Sequence, residues 1–215
     1  MSATGGRVLP CRVLRGAPRA VRSATMTDPR NYESAETLKN GLAIKVRALR
    51  QDDRDRMARA VRNLDPKSIY LRLFTARREL TEAGLNRLMR FDPANEILLV
   101  AVIGAPDETI IGAGRYVVVR PGVAEIAFTV ANDHHRQGIA SRLLWHLATV
   151  ARDQGIGMFE AETLSENKAM RAVFEKTGWP LRSTREGNVV HTTLTLPPQD
   201  SRRNRTITAN EPEAR

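Results

Sequence analysis

Cysteine is almost absent from this chain: Cys11 is the only one among 215 residues. A disulfide framework is therefore excluded, and a cysteine-based metal centre nearly so. Such usage fits a reducing compartment, and the expected location is cytoplasmic. Aromatic residues are scarce as well, at 5%. A nucleic-acid face would interleave them with basic residues, so nucleic acid is not expected as the main partner. No run approaches the roughly 18 apolar residues of a membrane span, and no span is expected. One segment, residues 1–25, lacks acids altogether while holding Arg7, Arg12, Arg15, Arg19 and Arg22.

What is present reads as one globular domain. Hydrophobic residues make up 41% of the chain and charged residues 27%, and 215 residues are enough to bury a core. The formal net charge is +10, of which +5 sits in residues 1–25 and +1 in 198–215, leaving +4 for the body. Segment 1–25 has the composition of a mitochondrial transit peptide. The stretch "MTDPRNYESAE" from Met26 has the look of a natural start, so 1–25 reads rather as a disordered or mis-started extension. Residues 26–41 read as a lead-in, 42–196 as the folded domain and 197–215 as a polar, disordered tail.

Within the domain, "LAIKVRAL" (42–49) alternates as a half-buried strand does. A helix over 51–64 follows, with Asp52 or Asp53 as its cap and Met57, Val61 and Leu64 on one face. A second helix covers 81–91; the stretch between them, including Arg77 and Arg78, fits no clean element. Three β-rich runs (96–103, 109–119, 123–131) are joined by Pro, Gly and Asp turns, as antiparallel neighbours are. A helix over 139–153 carries the stripe Ile139, Leu143, Leu147 and Val150. A strand (158–164), a helix (167–177) stopped by Gly178, and a hairpin (181–196) turning at Gly187-Asn188 complete the order. The fold class is α/β (α+β): a mixed, mostly antiparallel sheet of about six to seven strands flanked by about four helices.

One stretch carries chemistry: "NDHHRQGIASRLLW" (132–145). A strand that ends in a glycine turn and feeds a helix aims backbone N–H groups and the helix dipole at one point, where an anion can sit. Gly138 allows close approach of backbone to ligand. Ala140 keeps the first turn slim, Ser141 adds a hydroxyl, and Arg136 and Arg142 add positive charge. A diphosphate suits such a turn; an ordinary strand-to-helix connection is the alternative. His134 and His135 are adjacent and lack further ligands at suitable spacing, so no metal is expected there.

The block "VAEIAFTV-ANDHHRQGIASRLL" followed by "ETLSENKAMRAVFEKTGW" resembles the acetyl-CoA-dependent N-acetyltransferase (GNAT) superfamily. Gly138, Ile139 and Ala140 match the family's turn, and Asn167, Gly178 and Trp179 match its second block. His135 departs from the family's Gln or Arg. The resemblance spans roughly 42–196, and the upstream "RALRQDDRDRMARAVRNLDPKSIYLRLF" is most similar to bacterial Pat-type protein-lysine acetyltransferases. Neither an acyl-CoA synthetase part nor a cyclic-nucleotide domain is found in the chain.

That resemblance implies direct transfer of acetyl from acetyl-CoA to a primary amine, of a protein lysine, with no metal. The pantetheine arm would lie along Phe128, Thr129 and Val130. The pyrophosphate would rest on the amides of Arg136, Gln137, Gly138, Ile139, Ala140 and Ser141, with His135 at its edge. Asn167 caps its helix and would also face the cofactor. Glu125 would be the general base, since burial in its apolar run would raise its pKa; a glutamate turned to solvent or to an arginine is the alternative. Many family members have a tyrosine acid seven residues after the helix asparagine, where this chain has Phe174, which has no proton to give. Two other functions stay open on the sequence: a small-molecule amine acetyltransferase, and a non-catalytic acyl-CoA-binding sensor.

Overall fold

The computed structural model describes residues 28–64, 82–90, 92 and 94–198. The extension 1–25, the stretch between the first two helices and nearly all of the tail lie outside the described residues. The chain forms one eight-stranded sheet. Its elements are β1 (Glu33–Thr37), β2 (Ala43–Ala48), α1 (Arg54–Arg62), α2 (Glu82–Met89), β3 (Glu96–Ile103), β4 (Thr109–Arg120), β5 (Val123–Val130), α3 (Ile139–Asp153), β6 (Met158–Leu164), α4 (Lys168–Glu175), β7 (Leu181–Glu186) and β8 (Val189–Thr195). The spatial order is β1-β2-β3-β4-β5-β6-β8-β7. All neighbours pair antiparallel except β5 and β6.

The mixed, mostly antiparallel architecture agrees with expectation, but the sheet has eight strands rather than six or seven. The extra strand, β1, lies in the stretch read as a lead-in. Its sequence, ESAET, has no side chain that is fully buried. An edge strand of this kind carries too little apolar signal to read from sequence.

Both faces of the central sheet are covered. Six of the eight residues of β3 are buried, because helices pack above and below it and no face is left for polar residues. On one face, α3 lays Ile139, Leu143, Leu144, Leu147 and Ala148 against Val46, Leu99, Ile126 and Phe159. On the other, Met57 of α1 and Leu85 and Met89 of α2 meet Leu98, Val100 and Val102. Two glycines of β4 permit close packing on the α3 side. A Cβ at Gly112 would come within 2.8 Å of the Ile139 side chain, and one at Gly114 within 3.0 Å of the Phe128 ring.

Of the two candidate caps, Asp52 and Asp53, Asp53 closes a capping box with Arg50 on the short 3-10 turn Gln51–Asp53 that leads into α1. Asp53 makes no side-chain cap bond to α1 itself. It is fully buried and accepts from Arg47 Nη1 at 2.6 Å, Arg47 Nη2 at 2.8 Å and the Arg50 amide at 2.9 Å. Arg47, also buried, reaches Glu108 at 2.6 Å, so the cluster ties β2, the entry to α1 and the β3–β4 loop together. Burial alone would push the Asp53 carboxyl up; the Arg47 guanidinium and the Arg50 amide outweigh it and hold the group below its ordinary range.

Removing one partner strands a buried charge, whereas replacing both with apolar groups does not. Asp53→Asn is expected to cost about 3–5 kcal/mol in urea unfolding, and Arg47→Met/Asp53→Leu appreciably less. The depressed carboxyl also fixes the pH sense: its stabilisation is complete at neutral pH and is lost as pH falls below about 4 through the folded value.

Candidate functional site

The site is built where two strands part. β5 and β6 run parallel and pair only at Val123↔Met158, Ala124↔Phe159 and Glu125↔Glu160. β5 then continues to Val130 and β6 to Leu164 with no ladder between them. Each stays paired on its far side: Val130 with Gly112 of β4, Leu164 with Val189 of β8. The result is a wedge open at the C-terminal ends of both strands, the end where ligands enter sheets with parallel neighbours. Every second residue of 126–130 turns its N–H and C=O toward this gap, so the wedge offers main-chain partners to an extended ligand.

The turn predicted to hold an anion closes the mouth of the wedge. Arg136 and Gly138 both take positive φ, 61° and 91°. For Arg136 that conformation is strained. A Cβ on Gly138 would meet nothing within 4 Å, so the backbone angle, not crowding, calls for glycine there. The first α-helical bond runs from the Arg142 amide to the Gly138 carbonyl at 3.0 Å. Among the described residues, nothing accepts from the amides of Gly138, Ile139, Ala140 and Ser141, and no side chain caps the helix. The first turn of this fifteen-residue helix thus keeps four amide donors without protein acceptors, as an anion at a helix N-terminus would require.

Several side chains of this stretch hold the turn in shape. His135 Nε2 donates to the Val130 carbonyl at 2.9 Å, which folds the turn back on the strand. Gln137 donates to the Asp133 carbonyl at 3.0 Å and accepts from Asn40 Nδ2 at 3.1 Å. Arg142 does not stand free for an anion: its Nε lies 3.0 Å from Glu36 Oε2. Ile139, Phe128 and Phe174 have their side chains in the core, so the first two can offer a ligand only backbone. Thr129, Val130, Ala140 and Ser141 are partly exposed, and Arg136 is exposed. Asn167 caps α4, its Oδ1 accepting from the Met170 amide at 3.1 Å. Trp145 and Trp179 pack edge to face at 4.8 Å.

Glu125 is the last paired residue before the strands part, and so stands at the apex of the wedge. Its side chain is exposed, against the expected apolar enclosure. Alternation in the strand explains the difference. Ala124, Ile126 and Phe128 turn to the α3 side, and Glu125 turns to the opposite face.

A buried polar chain behind the turn was not legible in the sequence. Tyr32 Oη donates to His146 Nδ1 at 2.5 Å, and His146 Nε2 donates to Glu36 Oε1 at 2.5 Å. Glu36 thus binds α3 twice, and Asn40 in the β1–β2 turn holds Gln137. The partners lie more than 100 residues apart, and local patterning has no means of pairing them. Burial, acting against the Glu36 charge, pushes the His146 imidazole down, and burial pushes the Tyr32 hydroxyl up to about 12. Among the described residues, no three His, Cys, Asp or Glu side chains cluster as metal ligands would, and no helix is long and apolar enough to cross a membrane.

Known proteins are similar to this chain in sequence and fold. A family model described as "Acetyltransferase (GNAT) family" matches residues 64–179. An acetyltransferase of Pseudomonas aeruginosa is 29% identical over 154 residues, covering 71% of this chain and 83% of that protein. The acetyltransferase Pat of Mycolicibacterium smegmatis is 34% identical over 141 residues, covering 63% of this chain but only 40% of that protein. The chain therefore spans about two fifths of the length of that Pat. The crystal structure of the GNAT domain of S. lividans PAT superposes with a TM-score of 0.70 at 31% identity, covering 76% of this chain and 97% of that one.

His146 sets a pH dependence that can be checked directly. Its folded pKa lies below the unfolded value, so its neutral form stabilises the fold fully above about 6.5, and that contribution is lost as pH falls. The melting temperature should drop between pH 7 and pH 5, and His146→Gln should flatten that drop. An equally steep profile in the variant would assign the effect to other groups.

Proposed function

Because this chain belongs to the acetyltransferase (GNAT) family, we propose that it moves the acetyl group of acetyl-CoA directly to the primary amine of a protein lysine. The observation that carries the reading is the wedge that opens at Glu125 beside four unpartnered amides at 138–141. The cofactor supplies an activated thioester, whose carbonyl carbon an amine attacks and whose sulfur departs as thiol. The residues present fit it. A diphosphate matches free donors at a helix N-terminus, and the amide-containing arm matches the unpaired edges of β5 and β6.

The protein's part is to bind, orient and move one proton. The strained turn holds its amides in place before ligand arrives, so binding costs little reorganisation. The wedge fixes the arm between two strands anchored on their far sides. Glu125 accepts the proton that the attacking amine must lose, because an ammonium has no lone pair. Its exposed position on the face away from α3 suits a base that must meet a long, flexible lysine arriving from solvent. Phe174 is buried and has no proton to offer the departing thiolate, which can take the proton shed by the amine. The lysine acceptor follows from the similarity to Pat-type enzymes.

A thiol-release assay with acetyl-CoA and lysine-containing proteins, read alongside mass spectrometry of the acceptor, tests the reaction. Glu125→Gln is expected to lower kcat roughly a hundredfold near neutral pH. The deficit should narrow toward the lysine pKa of about 10.4, where the amine loses its proton unaided. A variant as fast as the parent at every pH would remove Glu125 from the role of base.

A further inference from the structure

We propose that the Thr163 hydroxyl is a hydrogen-bond donor to the acyl-CoA held between β5 and β6. This rests on the acetyl-transfer reading and adds a residue to it. Five polar or charged residues are buried among the described ones: Arg47, Asp53, His146, Thr163 and Thr192. Four are satisfied within the protein. Arg47 and Asp53 bind each other, His146 binds Tyr32 and Glu36, and Thr192 Oγ1 lies 3.2 Å from Ser183 Oγ. Thr163 Oγ1 alone has no partner, although the residue is only 4% exposed.

A buried hydroxyl without a partner opposes folding, and valine would fill nearly the same space without that cost. Its place explains why threonine stands there. Phe159, Ala161 and Thr163 are the buried residues of one face of β6, the face shared with Ala124. The β5–β6 ladder ends at Glu160, so Thr163 lies three residues into the unpaired stretch, about 10 Å beyond the apex. Phe128 lies three residues past Glu125 on β5 and packs on the same face. The two therefore stand on opposite walls of the wedge at one level. Phe128 has only a ring to offer; Thr163 is the one side chain of the pair with a proton to donate. A ligand that fills the wedge would give the hydroxyl its missing acceptor, a carbonyl of the pantetheine arm. The hydroxyl keeps its proton throughout.

Thr163→Val and Thr163→Ser separate this role from a structural one. In the absence of ligand, Thr163→Val should melt at or above the parent temperature, because it removes an unpaired polar group. In the same variant kcat/KM for acetyl-CoA should fall about five- to tenfold, the worth of one hydrogen bond, and calorimetric affinity for acetyl-CoA or CoA should not improve. Thr163→Ser should keep most of the activity. A rise in KM with kcat unchanged assigns the bond to the arm and supports the proposal; a fall confined to kcat, with KM and affinity at parental values, overturns it. Parental kcat/KM in Thr163→Val, or a lowered melting temperature without ligand, overturns it. If the parent protein itself neither binds acetyl-CoA nor releases thiol, the acetyl-transfer reading fails and this proposal with it; a competent parent matched by Thr163→Val overturns this proposal alone.

Discussion

The three-residue parallel contact between β5 and β6 is the constraint on which the site depends. A sheet normally satisfies its backbone by pairing each strand along its length. Here two central strands pair just long enough to fix their relative position and then separate, while β4 and β8 hold their outer edges. The gap is thus rigid without being filled. Because the two strands are parallel, a crossover must join them, and that crossover is α3. Its N-terminus necessarily begins at the open end of the wedge. The glycine turn with its free amides and the gap between the strands are therefore consequences of one topological choice.

The turn needs outside support because its own backbone is strained at Arg136 and free of caps at the helix entry. Support comes from the far edge of the sequence. Asn40 holds Gln137, and Glu36 engages both Arg142 and His146. The first strand, polar and nearly featureless, is in this sense what braces the turn. With its charge matched by Glu36, Arg142 is left as a strut, and the attraction for a diphosphate falls mainly to the amides. The same logic makes His135 a workable substitute for the family's usual residue: it ties the turn to the Val130 carbonyl and leaves the donors alone.

The sequence was informative where function rests on backbone and silent where it rests on distant pairs. The helix at 139–153 and the glycine turn before it were legible, because periodicity and a positive-φ glycine are local signals; the helix forms over Ile139–Asp153 as expected. The position of Glu125 beside the site was legible through family resemblance. Its surroundings were not, because its apolar neighbours in sequence occupy the other face of the strand. Asp52 or Asp53 was read as a cap from its place before a helix; Asp53 accepts from the Arg50 amide, but its second role, pairing with a buried arginine six residues earlier, has no local signal. No local pattern announces Tyr32, Glu36 or His146, whose contacts exist only once the first strand has met α3.

The residues that break ordinary rules gather around the wedge. Arg136 takes a backbone angle that favours glycine, five residues of a central strand lose one neighbour, and Thr163 buries a hydroxyl without a partner. Elsewhere Arg47 pairs with Asp53 and Thr192 with Ser183, while Arg152 and Trp179 also bury nitrogens without a hydrogen-bond partner. Natural sequences tend to concentrate such violations where function requires them. Each defect here is also of a kind that a single ligand could cure, donors for an anion at the mouth and main-chain and hydroxyl partners along the slot. A fold that leaves matching deficits along one continuous path is complementary to a long molecule with a diphosphate at one end and amides behind it. That complementarity is an argument from this chain's own atoms, and it points to the same ligand class as the family to which the chain belongs.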